Sequence, residues 1–445
     1  MDNLFLKAPV KQAYFKLALP VVLGMITTMI YNLADTVFVA KTGDPKMVAG
    51  VTIGAPLFTF LLAIADIFGL GGSSVVSRLL GERKGPLTKR VTSFCLYCSI
   101  ITGILLTVIL LAFEHPILMM LGAKAGTYTA AAHFYRVLSI GAVFVIFSIV
   151  PQNLIRTEGL ATHAMIAAIT GTAVAIVLDP VFLFVLDWGT TGVALANVIG
   201  YAVTDIVLLI MIGRYAHYVS LNPRLVKIEP HMITEVVAIG IPGSITNFAL
   251  TFGMALLNSS LAFYGADMVA AMGIVQKVYS VLILVIVGFA FGAQPLIGFT
   301  YGAKEWSRLH QILRFDFLVQ VVYSVVVEGT LIVFAKPIIR LFMDQPVIVN
   351  AASEMLLATI ITTPLVGLIL VYTTVFQSIG NAFGAFLMSI ARQGVIYWAA
   401  LEVLRHLAGY TGIIWAQAVS DIITCLLGYF LYKLTFNWQR QQSFR

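Results

Sequence analysis

The sequence predicts an all-α polytopic membrane protein: twelve transmembrane helices in two parallel six-helix lobes around a central cleft. Three observations carry that prediction. Of 445 residues, 60% are hydrophobic and 11% charged, against about 25% charged in a soluble domain. Apolar runs long enough to cross a hydrocarbon core of about 30 Å recur along the whole chain. Short stretches also repeat at a spacing of half the chain length.

The apolar runs fall at 14–40, 50–78, 91–113, 128–154, 163–186, 191–213, 232–262, 268–297, 315–335, 351–377, 383–404 and 408–434. An even number puts both termini on one side. Nineteen Lys and Arg fall on that side, from Lys7, Lys11 and Lys16 to Arg440 and Arg445, with Arg156 and Arg392 among them. Six fall opposite: Lys41, Lys46, Lys124, Lys336, Arg340 and Arg405. Arg136 and Lys277 are too deep to assign. The positive-inside rule then places both termini in the cytoplasm. The net charge of +7 thus reflects topology rather than a nucleic-acid partner. The first sixteen residues are mixed in character and make no cleavable signal.

The repeat has an offset of 220–222 residues. Leu19-Pro20 matches Ile241-Pro242. Gly43-Asp44 with Met47-Val48-Ala49 matches Gly265 through Ala270. Leu80-Gly81-Glu82-Arg83-Lys84 matches Tyr301-Gly302-Ala303-Lys304, and Thr191 through Asn197 matches Thr411 through Gln417. Six helices per half give both halves the same orientation. The expected division is an N-terminal lobe 1–213, a cytoplasmic linker 214–231 and a C-terminal lobe 232–445. Two like lobes that rock about a midplane site are a transporter architecture.

Other classes lack their signatures. No G-x-x-x-x-G-K-[ST] phosphate loop occurs, and Gly81-Glu82-Arg83-Lys84-Gly85 reads as a turn between helices, so energy must come from a gradient. Cys95 and Cys98 lie inside an apolar run with no second pair. His115, His133 and His163 are scattered without metal spacing. No enzyme activity and no resident cofactor are expected.

A carboxylate at membrane depth is a functional candidate unless packing explains it. Asp35 sits in Tyr31-Asn32-Leu33-Ala34-Asp35-Thr36, with Asn32 one turn away on the same face. Asp179 precedes Pro180, which frees a backbone carbonyl beside the acid. Asp66 is a further candidate. Asp205, Glu328, Glu402 and Asp421 lie nearer run ends, where snorkelling to the interface is the simpler expectation. Two acids close together in low dielectric resist ionising at the same time.

At these residues the sequence resembles the multidrug and toxic compound extrusion (MATE) family. The resemblance rests on Asn32-Leu33-Ala34-Asp35-Thr36-Val37-Phe38-Val39, on Phe68-Gly69-Leu70-Gly71-Gly72-Ser73 with Ser77-Arg78-Leu79-Leu80-Gly81, on Leu178-Asp179-Pro180 and on Arg392-Gln393-Gly394. It implies a twelve-helix antiporter that expels amphipathic organic cations in exchange for H⁺ or Na⁺. It also implies cation-coupling roles for Asp35 and Asp179, and a bend of the first helix at Pro20. Where members carry Asn four positions before the fifth-helix acid, this chain has Ala175. Where they carry Thr eighteen positions after it, this chain has Asn197, which returns an amide oxygen one helix on. Asp35, Asp179 and Asn197 would then be the donors if the ion is Na⁺, with Asn32 beside them. The seventh and tenth helices lack acids at depth, which implies coupling through the N-terminal half.

The implied setting is a bacterial inner membrane, with lipid as neighbour and a monomer sufficing. The rival reading is a flippase for a lipid-linked saccharide precursor. That activity needs cations in the cleft to hold a pyrophosphate, and Arg136 and Lys277 are the candidates.

Overall fold

A computed structural model describes residues 3–343 and 345–443. Arg445 and the side chain of Arg440 lie outside that description. Every regular element among the described residues is helical. Helix α1 spans Val10–Lys41, α2 Pro45–Gly81 and α3 Gly85–Ala112, followed by the short α4, Glu114–Met120. Helices α5 (Tyr128–Ile140) and α6 (Ala142–Thr157) form one span bent by 49°. Helix α7 (Ala161–Pro180) continues as a π-helical turn, Val181–Val185, before α8, Gly189–Tyr215. The second half runs α9 (Pro230–Ala262), α10 (Ala266–Gly302) and α11 (Trp306–Arg340). Helices α12 (Pro346–Ile360) and α13 (Thr363–Ile379) form a span bent by 42°. Helix α14 (Ala382–Ile390) leads through a π-helical turn, Ala391–Val395, into α15, Ile396–Ser443.

Among the described residues, nine single helices and two bent pairs pass as spans, eleven in all. The last of these, Ala382–Phe436, crosses twice. Gly409 adopts φ 56° and ψ −129° within α15. Beyond it the Ser420 hydroxyl donates 2.8 Å to the Arg392 carbonyl, 28 residues earlier. A straight helix would hold those residues about 42 Å apart, so the chain folds back at Gly409 and the spans number twelve.

The repeat is written into the backbone. Left-handed residues recur at the repeat spacing: Gly43 with Gly265, Arg83 with Lys304, Gly159 with Gly380, and Gly189 with Gly409. The turns containing Arg83 and Lys304 meet. A Cβ on Gly81 would strike the Phe299 carbonyl, and one on Gly302 would strike the Arg78 carbonyl. Gly71 likewise seats against Val236 of α9, and its counterpart Gly292 seats against Ala18 of α1. Small residues permit such close approach where no hydrophobic force acts between helices in lipid.

These seams lie in the halves of the helices nearest the termini. Arg78 adds an ion pair to Glu235 across the lobes at 3.0 Å. Tyr14 donates to Asp316 at 2.7 Å, and Arg308 donates to the carbonyls of Phe5 and Ala8. In the opposite halves α1, α9 and α10 expose Ile30, Val37, Phe252, Met254 and Val281. Because the glycine seams and the Arg78 and Tyr14 ties lie in the halves nearest the termini, the cleft opens on the side away from them. The linker is tied to the N-terminal lobe by Glu158, whose carboxylate accepts from the backbone N–H groups of His217, Tyr218 and Val219 at 2.7–2.9 Å.

Candidate functional site

Two adjoining cavities run along α1: one inside the N-terminal lobe between α1, α2, α6, α7 and α8, and one at the lobe seam between α1, α2, α6, α7, α9 and α10. The first, about 210 Å³, is lined by Tyr31, Asn32, Ala175, Asn197 and Tyr201. The second, about 240 Å³, is lined by Pro20, Asp66, Asn153, Arg156 and Asn247. Thr28, Leu62 and Gln152 border both, so one polar file follows α1.

Asp179 sits behind the first cavity and is wholly buried. The Tyr31 phenol approaches its carboxylate as a donor, short of full hydrogen-bond geometry. Its electrostatic neighbours are Asp35 and the Tyr31 phenol. Asp35 is partly exposed, with Oδ1 sealed off and unpartnered among the described residues. Tyr31 is 7% exposed and its hydroxyl lies toward Asp179 without completing a full hydrogen bond. Helix α1 brings Tyr31 and Asp35 together because they lie one turn apart. Pro180 closes α7 immediately after the acid, and the wider π turn follows. A proline has no N–H to donate, which leaves the backbone beside Asp179 short of a bond. Helix α1 runs unbroken through Pro20, which is buried.

Asn197 and Asn32 both line the cavity, and so does Ala175. The amide that Ala175 lacks is thus present across the same cavity on α8. Asp66 lies in the second cavity, where Asn247 of the other lobe donates to its Oδ2 at 3.0 Å and Arg156 is its Coulombic neighbour. It is brought near the lobe seam and not into contact with the Asp35–Asp179 pair.

Several sequence expectations are corrected. Asp205 does not snorkel: it is 5% exposed, sits sixteen residues into α8, and has the Ser148 hydroxyl as a loosely placed donor. It neighbours Tyr201, which neighbours Tyr31, so a third acid stands behind the first cavity. Asp421 does not snorkel either. It is wholly buried and receives Arg392 at 3.0 Å, Thr362 at 2.8 Å and Gln417 at 2.9 Å. Arg156 and Arg392, expected among the loop cations, are interior residues: Arg392 is paired with Asp421, and Arg156 donates to Asn153 with Asp66 as a Coulombic neighbour. Arg136 is held by Glu114 through two bonds, 2.6 and 2.8 Å. The apolar runs mark depth but not the polar neighbour that removes the need to snorkel.

Asp316 escaped the sequence reading because it falls at the edge of the run 315–335. Helix α11 begins at Trp306, ten residues earlier. Asp316 therefore lies wholly buried, with Oδ2 unpartnered among the described residues. Tyr31 was visible in sequence as part of the Asp35 motif, and its spacing of four was the signal.

A family model described as MatE matches residues 20–181 and 242–399. The chain is 28% identical over 422 residues to the Multidrug export protein MepA of Staphylococcus aureus (strain NCTC 8325 / PS 47), covering 95% of this chain and 93% of that one. It is 27% identical over 427 residues to the Multidrug export protein MepA of Staphylococcus haemolyticus (strain JCSC1435), covering 96% and 94%. In fold it is similar to a MATE transporter solved in the bent conformation, with TM-score 0.93 and 24% identity over the whole of both chains. It is also similar to a multidrug resistance MATE family transporter of the MOP superfamily in an outward-facing conformation, with TM-score 0.92 and 24% identity over 98% of each.

Proposed function

The chain belongs to the MatE family, and from that premise we propose that it exports amphipathic organic cations across a bacterial plasma membrane by antiport against H⁺ or Na⁺. Both termini are cytoplasmic in this reading. The lobes 1–213 and 232–445 rock about the glycine seams, and the cleft of this conformation faces outward. One chain encloses the cleft, so a monomer suffices.

Asp35 and Asp179 hold the coupling ion. The observation that carries this is Asp179 itself: a wholly buried carboxylate with no cation beside it among the described residues, only the loosely placed Tyr31 phenol as donor, and a second acid next to it. A buried charge without a partner is costly. Such a group is retained where something binds it. A proton arriving from outside neutralises the pair and favours release of the drug cation, and its loss inside resets the site. If the ion is Na⁺, the same carboxylates with the Asn197 and Asn32 amide oxygens form the hard oxygen donor set that such an ion takes. Asp205 stands behind as a reserve acid.

Stoichiometry follows from the membrane potential. Moving one charge across 100 mV is worth about 2.3 kcal/mol. A one-for-one exchange of H⁺ for a monovalent drug cation moves no net charge and forgoes that term. Two ions per drug recover it, and two acids can hold two ions.

The flippase reading needs uncompensated cations to grip a pyrophosphate. Arg392 is paired with Asp421, the exposed Arg136 is held by Glu114, and Arg156 has Asp66 as a Coulombic neighbour, which leaves Lys277 as a lone cation among the described residues, too little charge for a pyrophosphate. That favours cationic cargo. The test is ethidium efflux in cells without their own pumps, at matched expression. Wild type should export the dye, while Asp35→Asn and Asp179→Asn should match empty vector. Wild type equal to empty vector across several cationic dyes would sink the export reading.

A further inference from the structure

The C-terminal lobe holds a cavity that the cation reading leaves unused. Its volume is about 520 Å³, and it lies between α9, α10, α12 and the two arms of the α14–α15 hairpin. It is the repeat counterpart of the first N-terminal cavity. Asn197 lines one, and Gln417, 220 residues on, lines the other.

The charge of the two is opposite. The positions that repeat Asn32 and Asp35, 222 residues on, are Met254 and Leu257, and both line the C-terminal cavity. No acid lines it; two cations do, Lys277 and Arg392. Arg392 spends its Nε on Asp421 and its Nη2 on the Tyr279 hydroxyl at 2.8 Å. A guanidinium has five N–H donors in a fixed fork, so its Nη1 edge is unspent. Lys277 is exposed and makes no ion pair among the described residues. The amides of Asn258 and Gln393 face the same space, and the Tyr397 hydroxyl is 1% exposed and unpartnered among the described residues. With Arg392 balanced by Asp421, the cavity carries one net positive charge. That suits one carboxylate and is too little for a pyrophosphate.

We propose that this cavity is a second binding site, for the carboxylate of a flat organic amphiphile, gripped by Lys277 and the free edge of Arg392. The inference stands whether or not the chain exports cations, since it concerns binding in the other lobe.

The test uses the full chain in phosphatidylcholine nanodiscs, titrated with 9-anthracenecarboxylate and with its neutral isostere 9-anthracenecarboxamide. Binding is read by fluorescence against empty discs. Wild type should bind the carboxylate saturably and roughly tenfold more tightly than the amide, the worth of one charge-assisted hydrogen bond. Lys277→Gln should abolish that preference, and Lys277→Arg should keep it. Lys277 is exposed, so both variants should retain the wild-type melting midpoint. Carboxylate and amide binding alike in wild type, no saturable component, or a preference unchanged in Lys277→Gln would each overturn the site. Doping the discs with phosphatidylglycerol separates the sources of the anion. Unchanged affinity keeps the soluble carboxylate as occupant. Affinity lost in proportion to the anionic lipid would assign the cavity to a lipid headgroup and overturn the proposal.

Discussion

The buried acids of the two lobes live in different company. In the C-terminal lobe Asp421 accepts from Arg392, Thr362 and Gln417. In the N-terminal lobe Asp179 has only the loosely placed Tyr31 phenol and Asp205 only the Ser148 hydroxyl, and neither has a cation beside it among the described residues. Duplication gave both lobes the same turns and the same glycine seams. Asp421 and Asp179 stand at unrelated positions of the repeat, and they differ in whether the protein surrounds the carboxylate with donors and a cation or leaves it beside a cavity. A satisfied acid fixes structure. An unsatisfied one beside a cavity is available for chemistry.

The sharpest way to break that comparison is stability. Arg392→Leu removes the charge partner of Asp421 and should lower folding stability by about 3–5 kcal/mol, seen as a lower thermal midpoint in detergent. The double variant Arg392→Leu with Asp421→Leu should recover most of it. Asp179→Asn should do the opposite and leave the midpoint unchanged or raised, because it removes an unpaired buried charge. A large loss in Asp179→Asn would show that this acid is structural after all.

A smaller effect should come from the seams. Gly302→Val places a side chain against the Arg78 carbonyl, an overpacking worth about 1–3 kcal/mol. It should hold the lobes apart near the termini and depopulate the conformation whose cleft opens opposite. Distances between spin labels on Val37 and Phe252 should shorten as the open mouth narrows. Unchanged distances would mean that these glycines do not set the lobe equilibrium.

The fold was largely legible because its two signals are one-dimensional. Apolar runs give the spans, and an offset of 220–222 residues gives the repeat. The left-handed residues at Arg83 and Lys304 fall within the matched segments Leu80–Lys84 and Tyr301–Lys304. Asp35 and Asp179 were legible as charges deep in apolar runs. Their neighbours were less so. Tyr14 and Asp316 are 302 residues apart in sequence, and Asp66 and Asn247 are 181 apart. Hydropathy measures depth along a helix and cannot name the residue across the gap. For the same reason Asp421 and Arg392 were expected at the interface as separate charges, when each buries the other.

The central proposal is that the N-terminal acids carry the coupling ion. The most direct measurement is ion counting in liposomes reconstituted with the full chain. A pH-sensitive dye and a Na⁺-sensitive dye would be trapped inside in parallel while ethidium uptake is followed. Wild type should move two ions of one kind per ethidium, and Asp179→Asn should show no ion movement coupled to the dye. One ion per ethidium in wild type, or coupling intact in Asp179→Asn, would contradict the account.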